Sequence, residues 1–373
     1  MEKSLKKRNM NFELLRIITM LMIVCLHYLG KGGGLDNTEF MSKNYIIAWI
    51  LESFCIVAVN CYVLLSGYFL IKSEFKIKKV VTIWGQTIFY SIVLYLFLKY
   101  GLNANLELGF IQRINILFPI ISAQYWFVTT YIILYFIFPY LNKFINAISK
   151  KNFQLLLIIL IVIMPILKSI MPINNVVDQA NGYSLIWFIS LYFFAAYIRL
   201  YYNDKINKNL YFVGYLLISI IVFLVKILIY KLSFNYEFLS TYTNISYNYN
   251  SIFITLSSIL LFLFFKNICI KNNFLIKLIG FFSGLTLAVY LIHEQILMRL
   301  FLWNNMLNTN NFINSNLFIL NLIFSIILIF IVCCIIEYIR KQILNKISSF
   351  SFCKNIYLKH FKKYEDKINE KFN

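Results

Sequence analysis

Three ionisable side chains fall within the first long apolar run of this sequence, NFELLRIITMLMIVCLHY: Glu13, Arg16 and His27. Read as a helix, the step from Arg16 to His27 returns to within about 20° of one face and climbs about 16 Å. Glu13 stands three residues before Arg16, the spacing of an intrahelical ion pair. An imidazole well inside a membrane can stay neutral and accept a proton, as a general base does from a hydroxyl, or it can serve in packing. Arg16, nearer the start of the run, suits either guidance of an anionic substrate or snorkelling to the interface. A second histidine, His293, lies in LAVYLIHEQ with Glu294 beside it, and a carboxylate near an imidazole can fix its tautomer. Trp126 opens another apolar run at a matching depth, as a site residue or as part of an aromatic belt. Asn60, near the middle of the second run, needs a partner and is either helix glue or a cavity group. The segment KSEFKIKK gathers Lys72, Lys76, Lys78 and Lys79, where a phosphate could be held or where lysines anchor the topology.

The elements that position these residues follow from composition. The chain has 373 residues, of which 61% are hydrophobic and only 13% charged; soluble globular chains carry about 25% charged residues. That difference excludes a soluble domain and predicts an all-α polytopic membrane protein. A span takes about 20 apolar residues. Ten runs qualify, at about 11–30, 45–71, 80–99, 124–141, 153–171, 184–201, 210–230, 251–265, 275–298 and 316–339. Of the 35 Lys and Arg residues, 25 fall on one set of alternate connections and the two ends, so both termini are expected in the cytoplasm. Much of the formal +20 charge is then a topology signal and an attraction to anionic lipid headgroups, with no nucleic-acid partner expected. A membrane domain over 1–340 is followed by a basic cytoplasmic tail at 341–373, which either lies on the membrane as an amphipathic helix or is solvated. The tail holds the third histidine, His360. The seven cysteines show no metal-type spacing and read as reduced packing residues. No cluster of metal ligands is visible, and no metal is expected. Gly67, in NCYVLLSGYFL, would let two helices approach closely.

The segment from Glu13 to His27, together with NCYVLLSGYFL, YWFVTTYIILYFIFPYLN and AVYLIH in that order, resembles the acyltransferase family 3 of integral membrane acyltransferases. The resemblance covers most of the chain and implies a plasma or inner cell membrane enzyme. It implies acetyl-CoA, or another acyl-CoA, as cytoplasmic donor, and a hydroxyl of an outer-surface polysaccharide or lipid-linked glycan as acceptor. It makes His27 the catalytic imidazole and Arg16 a second required residue, and it places Trp126 and His293 in shared segments. Glu13 would orient Arg16; Asn60 and Glu294 would support. Many members carry paired arginines after the SG motif, where this chain has Lys72 and Lys76, and lysine lacks the bidentate phosphate fork. Ten helices with an internal polar stripe would also suit a transporter or flippase for a lipid-linked sugar.

Overall fold

The computed structural model describes residues 9–103, 108–170, 180–348 and 362–372. The basic residues Lys3, Lys6, Lys7 and Arg8, and also Cys353 and His360, lie outside the described residues. The chain is 79% helical, with no strand among the described residues. The main helices are α1 (Met10–Lys31), α2 (Lys43–Cys55), α3 (Ala58–Leu70), α4 (Ile77–Leu96), α5 (Trp126–Ala147), α6 (Lys150–Ile161) and α7 (Leu185–Tyr201). They continue with α8 (Lys208–Ser233), α9 (Ile252–Lys266), α10 (Asn273–Ser283), α11 (Thr286–His293), α12 (Phe318–Ser348) and α13 (Lys362–Phe372).

Each of the ten expected apolar runs falls, among the described residues, on helix, two of them on a broken one. Among the described residues, eight helices are long and apolar enough to cross a membrane, and α10 with α11 makes a ninth if the pair is one broken span. The remaining run is the apolar but shorter α7, of 17 residues. This is an all-α polytopic membrane protein, as expected from an interior where backbone N–H and C=O groups have no water to bond and must bond along the helix. The starts of several helices are set locally by polar side chains. Ser42, Ser149, Ser184 and Ser251 each accept a bond from a backbone N–H three residues on, and Asn207 and Asn272 cap α8 and α10.

The helices group into two compact units. One is built from Met1–Ile71, Ile148–Gly284 and Thr309–Ile326. There α8 packs along α9 and α7 along α3, while α1 packs on α2, α3, α9 and α10. A Cβ on Gly67 would come within 3.0 Å of the Ala195 Cβ and the Tyr192 Cα, so the close approach of α3 and α7 requires glycine there. The other unit is built from Lys72–Ala147, Leu285–Asn308 and Ile327–Asn373. In it α11 packs on α4, and α13 packs on α5. Burial separates interior helices from lipid-facing ones: 67% of the Lys43–Leu70 span window is buried, against 22% for Lys208–Ser233, whose exposed Leu210, Val213, Leu217, Leu224 and Leu228 suit hydrocarbon. The six described cysteines are all free thiols.

Candidate functional site

In the first unit the expected ion pair forms: Arg16 Nη1 donates to Glu13 Oε2 at 3.0 Å, one turn apart on α1. The backbone beneath is pinned as well, since the Tyr62 hydroxyl from α3 donates to the Arg16 carbonyl at 2.7 Å. His27 is part-exposed, one turn before the end of α1. That end is sharply defined. Gly32 N–H closes on the carbonyls of His27 and Tyr28 at 3.1 and 3.0 Å, and a Cβ on Gly32 would meet the Tyr28 carbonyl oxygen at 2.4 Å. Thr309 Oγ1 donates to the Gly32 carbonyl at 2.8 Å, and the Tyr28 hydroxyl donates to Asn321 Oδ1 at 2.6 Å. The turn that carries His27 is therefore held on both sides.

Asn60 is fully buried and engaged at both ends of its amide. Its Nδ2 donates to the Tyr249 carbonyl at 2.8 Å, and its Oδ1 accepts from Trp187 Nε1 at 3.1 Å. It ties α3 to α7 and to the connection ahead of α9, so of the two uses open to it in sequence this geometry is helix glue.

In the second unit His293 is the last residue of α11 and is 1% exposed. Its Nδ1 is hydrogen-bonded to the Val289 carbonyl. A carbonyl can only accept, so Nδ1 carries the proton and Nε2 is the basic nitrogen of the neutral ring. The backbone carbonyl thus fixes the tautomer, and a Glu294 carboxylate oxygen lies within 4.8 Å of a ring nitrogen of His293 while its Oε1 accepts from Arg299 Nη1 at 2.6 Å. Just before α5, Tyr125 is buried and donates its hydroxyl to the Leu291 carbonyl at 2.9 Å; its ring lies 5.9 Å from Tyr290, which lies 6.3 Å from the His293 ring. Trp126 opens α5 immediately afterwards, its ring 5.9 Å from Phe127. Tyr125 thus touches the His293 segment directly, and so does Phe127, whose ring lies 6.3 Å from that of Tyr290.

The basic segment also belongs to this unit. Lys72 and Lys76 are exposed, and Lys76 precedes α4 with its backbone N–H bonded to the Tyr135 hydroxyl at 3.1 Å. Lys79 lies over the Tyr135 ring, 4.8 Å from its centroid. A buried cluster missed in the sequence sits on α12: Glu337 accepts from Arg340 through both oxygens at 2.7 and 2.8 Å and from the Tyr90 hydroxyl at 2.6 Å.

The family described as an acyltransferase domain matches this chain over residues 9–338, nearly its whole length. The chain belongs to that family. It is a membrane acyltransferase, and its two helix-borne histidines lie within the matched region. No curated protein and no solved structure matches the chain.

Proposed function

We propose that the protein moves an acyl group, acetyl in the first instance, from cytoplasmic acyl-CoA to a hydroxyl of an extracytoplasmic polysaccharide or lipid-linked glycan, from a position in the plasma or inner cell membrane with both termini cytoplasmic. The observation that carries this reading is the alignment of the Glu13–Arg16 pair and His27 along one membrane helix of an acyltransferase-family chain. Exposed Lys72 and Lys76, with Arg16, attract the phosphates of the donor. His27 takes the acceptor hydroxyl proton as the oxygen attacks the thioester carbonyl; the new C–O bond forms, the C–S bond breaks, and the coenzyme leaves as its thiolate to be protonated. His293, with its tautomer set by the Val289 carbonyl, supplies a second basic nitrogen for proton transfer. Trp126, Asn60 and Glu294 support the helices that carry these groups. A thioester is already activated, so an imidazole base suffices and the reaction is proposed to need no metal.

Purified protein in lipid nanodiscs, given radiolabelled acetyl-CoA and candidate surface glycans, transfers label to glycan and releases one free thiol per acyl group moved. Turnover persists after chelator treatment. Label retained on the donor with every glycan tested, or turnover only with a different acyl thioester, rejects the acceptor or the acetyl assignment respectively.

A further inference from the structure

One pair of buried polar groups has no place in that scheme. Trp49 and Glu52 stand three residues apart on α2, on one face of the helix, and are only 8% and 9% exposed. Among the described residues Trp49 Nε1 has no hydrogen-bond acceptor and Glu52 Oε2 no donor. Orphaned polar atoms at membrane depth are costly, and ionisable groups there mark functional sites. Polar groups of the same unit surround the pair. The Tyr247 hydroxyl donates to the Trp49 carbonyl at 2.9 Å. Lys226 from α8, 4% exposed, holds its ammonium 3.4 Å from the Trp49 ring centroid and donates to Asn244. One donor lacks an acceptor while one acceptor, a helical turn away, lacks a donor. A hydroxyl group both donates and accepts, and so meets both needs.

The ligand class follows from the neighbouring rings. Aromatic contacts lead outward from Trp49 to Tyr45 at 6.1 Å and on to Phe40 at 5.1 Å, and Phe40 is 49% exposed in the connection between α1 and α2. Sugar rings offer apolar C–H faces to aromatic rings and hydroxyls at their edges, the mixture that this track and its polar end provide. The orphaned pair asks for an acceptor and a donor together, which a lone anion or cation does not offer and a neutral polyhydroxylated ligand does. Glu52 is nine residues into α2 and His27 four from the end of α1, on the two arms of one hairpin. At about 1.5 Å per residue they lie about 14 and 6 Å from its closed end, in the same half of that hairpin.

We propose that Trp49, Glu52 and Lys226 form a subsite for a neutral sugar residue of the acceptor, entered along Phe40 and Tyr45; the proposal rests on the reading that the acceptor is a glycan. The test uses the full chain in nanodiscs with acetyl-CoA and a panel of methyl glycosides of neutral hexoses and N-acetylhexosamines. W49F and E52Q each raise the KM for the accepted glycoside by about three- to tenfold, the worth of one hydrogen bond, while the KM for acetyl-CoA changes by less than about twofold. F40A, at an exposed ring, raises the acceptor KM by about threefold and serves if the buried variants fail to fold. An acceptor KM unchanged in folded W49F and E52Q, or in F40A where those two do not fold, overturns the subsite and leaves the glycan reading intact. A wild-type protein that cleaves acetyl-CoA at a rate no glycoside increases overturns the glycan reading, and the subsite with it.

Discussion

The two membrane histidines are built differently. His27 sits within an unbroken 22-residue helix, part-exposed, and its position is set by a glycine cap and by bonds to the turn that follows. His293 closes an eight-residue helix, is almost fully buried, and has one ring nitrogen committed to a backbone carbonyl. A long helix delivers an imidazole to a chosen depth. A short helix with a carbonyl under the ring fixes which nitrogen can take a proton. The contrast is broken most directly by removing each ring in turn. H27A lowers kcat by about 10²- to 10⁴-fold if His27 is the base. H293N is the sharper partner test, because the asparagine amide can still donate to Val289 but has no basic nitrogen. A drop of at least about 100-fold in H293N assigns His293 a proton-transfer role. Activity near wild type in H293N, with H27A inactive, reduces His293 to a packing residue.

The buried polar ties of the two units differ in the same manner. The second unit relies on ionic clusters such as Glu337, whose carboxylate holds both Arg340 and Tyr90. In the first, the fully buried tie of Asn60 is made of neutral bonds, beside the part-exposed Glu13–Arg16 and Lys266–Asp204 ion pairs of that unit. Removing one member of a buried ion pair strands its partner, so E337A destabilises by about 3–5 kcal/mol. N60A orphans the Trp187 indole N–H and the Tyr249 carbonyl and costs about 1–3 kcal/mol. Thermal unfolding in detergent ranks the two; a larger effect from N60A than from E337A would reverse the comparison.

What was legible in the sequence is what is local. The apolar runs, the Glu13–Arg16 pair and the need for Gly67 each follow from spacing within one or two turns, and each is found. The breaks inside two spans were not legible, since the runs read as continuous while the chain ends one helix at Cys55 and another at Ser283. Side-chain partners across distant segments were equally hidden. Tyr90 and Glu337 are 247 residues apart, and nothing in their neighbourhoods signals the bond. Arg299 was readable as a charge in an apolar stretch, but its bond to Glu294 spans the end of α11 and escapes the i, i+3 and i, i+4 rule. The orphaned Glu52 oxygen required knowing what surrounds it, which no periodicity provides.

The smallest expected effect concerns the end of the chain, for which the sequence allowed a membrane-surface helix or a solvated tail. Within the second unit α13 docks on the segment ahead of α4. Asn369 pairs both ways with the Phe75 backbone, accepting from its N–H at 3.0 Å and donating to its carbonyl at 3.1 Å. Glu365, buried to 8% exposure, accepts from the Lys78 backbone N–H at 3.1 Å in the first turn of α4. A carboxylate at that place takes up an N–H the helix cannot satisfy itself and meets the positive end of its dipole. The double variant E365A/N369A therefore loosens the basic segment by about 0.5–2 kcal/mol, the usual worth of a helix cap. Hydrogen exchange at the Phe75 and Lys78 amides reads it directly: faster exchange confined to this segment and the start of α4 is the expected result, and unchanged exchange at both amides would show that α13 does not hold them. Because Lys72 and Lys76 flank Phe75, the same variant separates the order of this segment from its charge. If both lysines bind the donor only when held in place, the KM for acetyl-CoA rises with the exchange rate; if charge alone suffices, exchange rises and the KM does not.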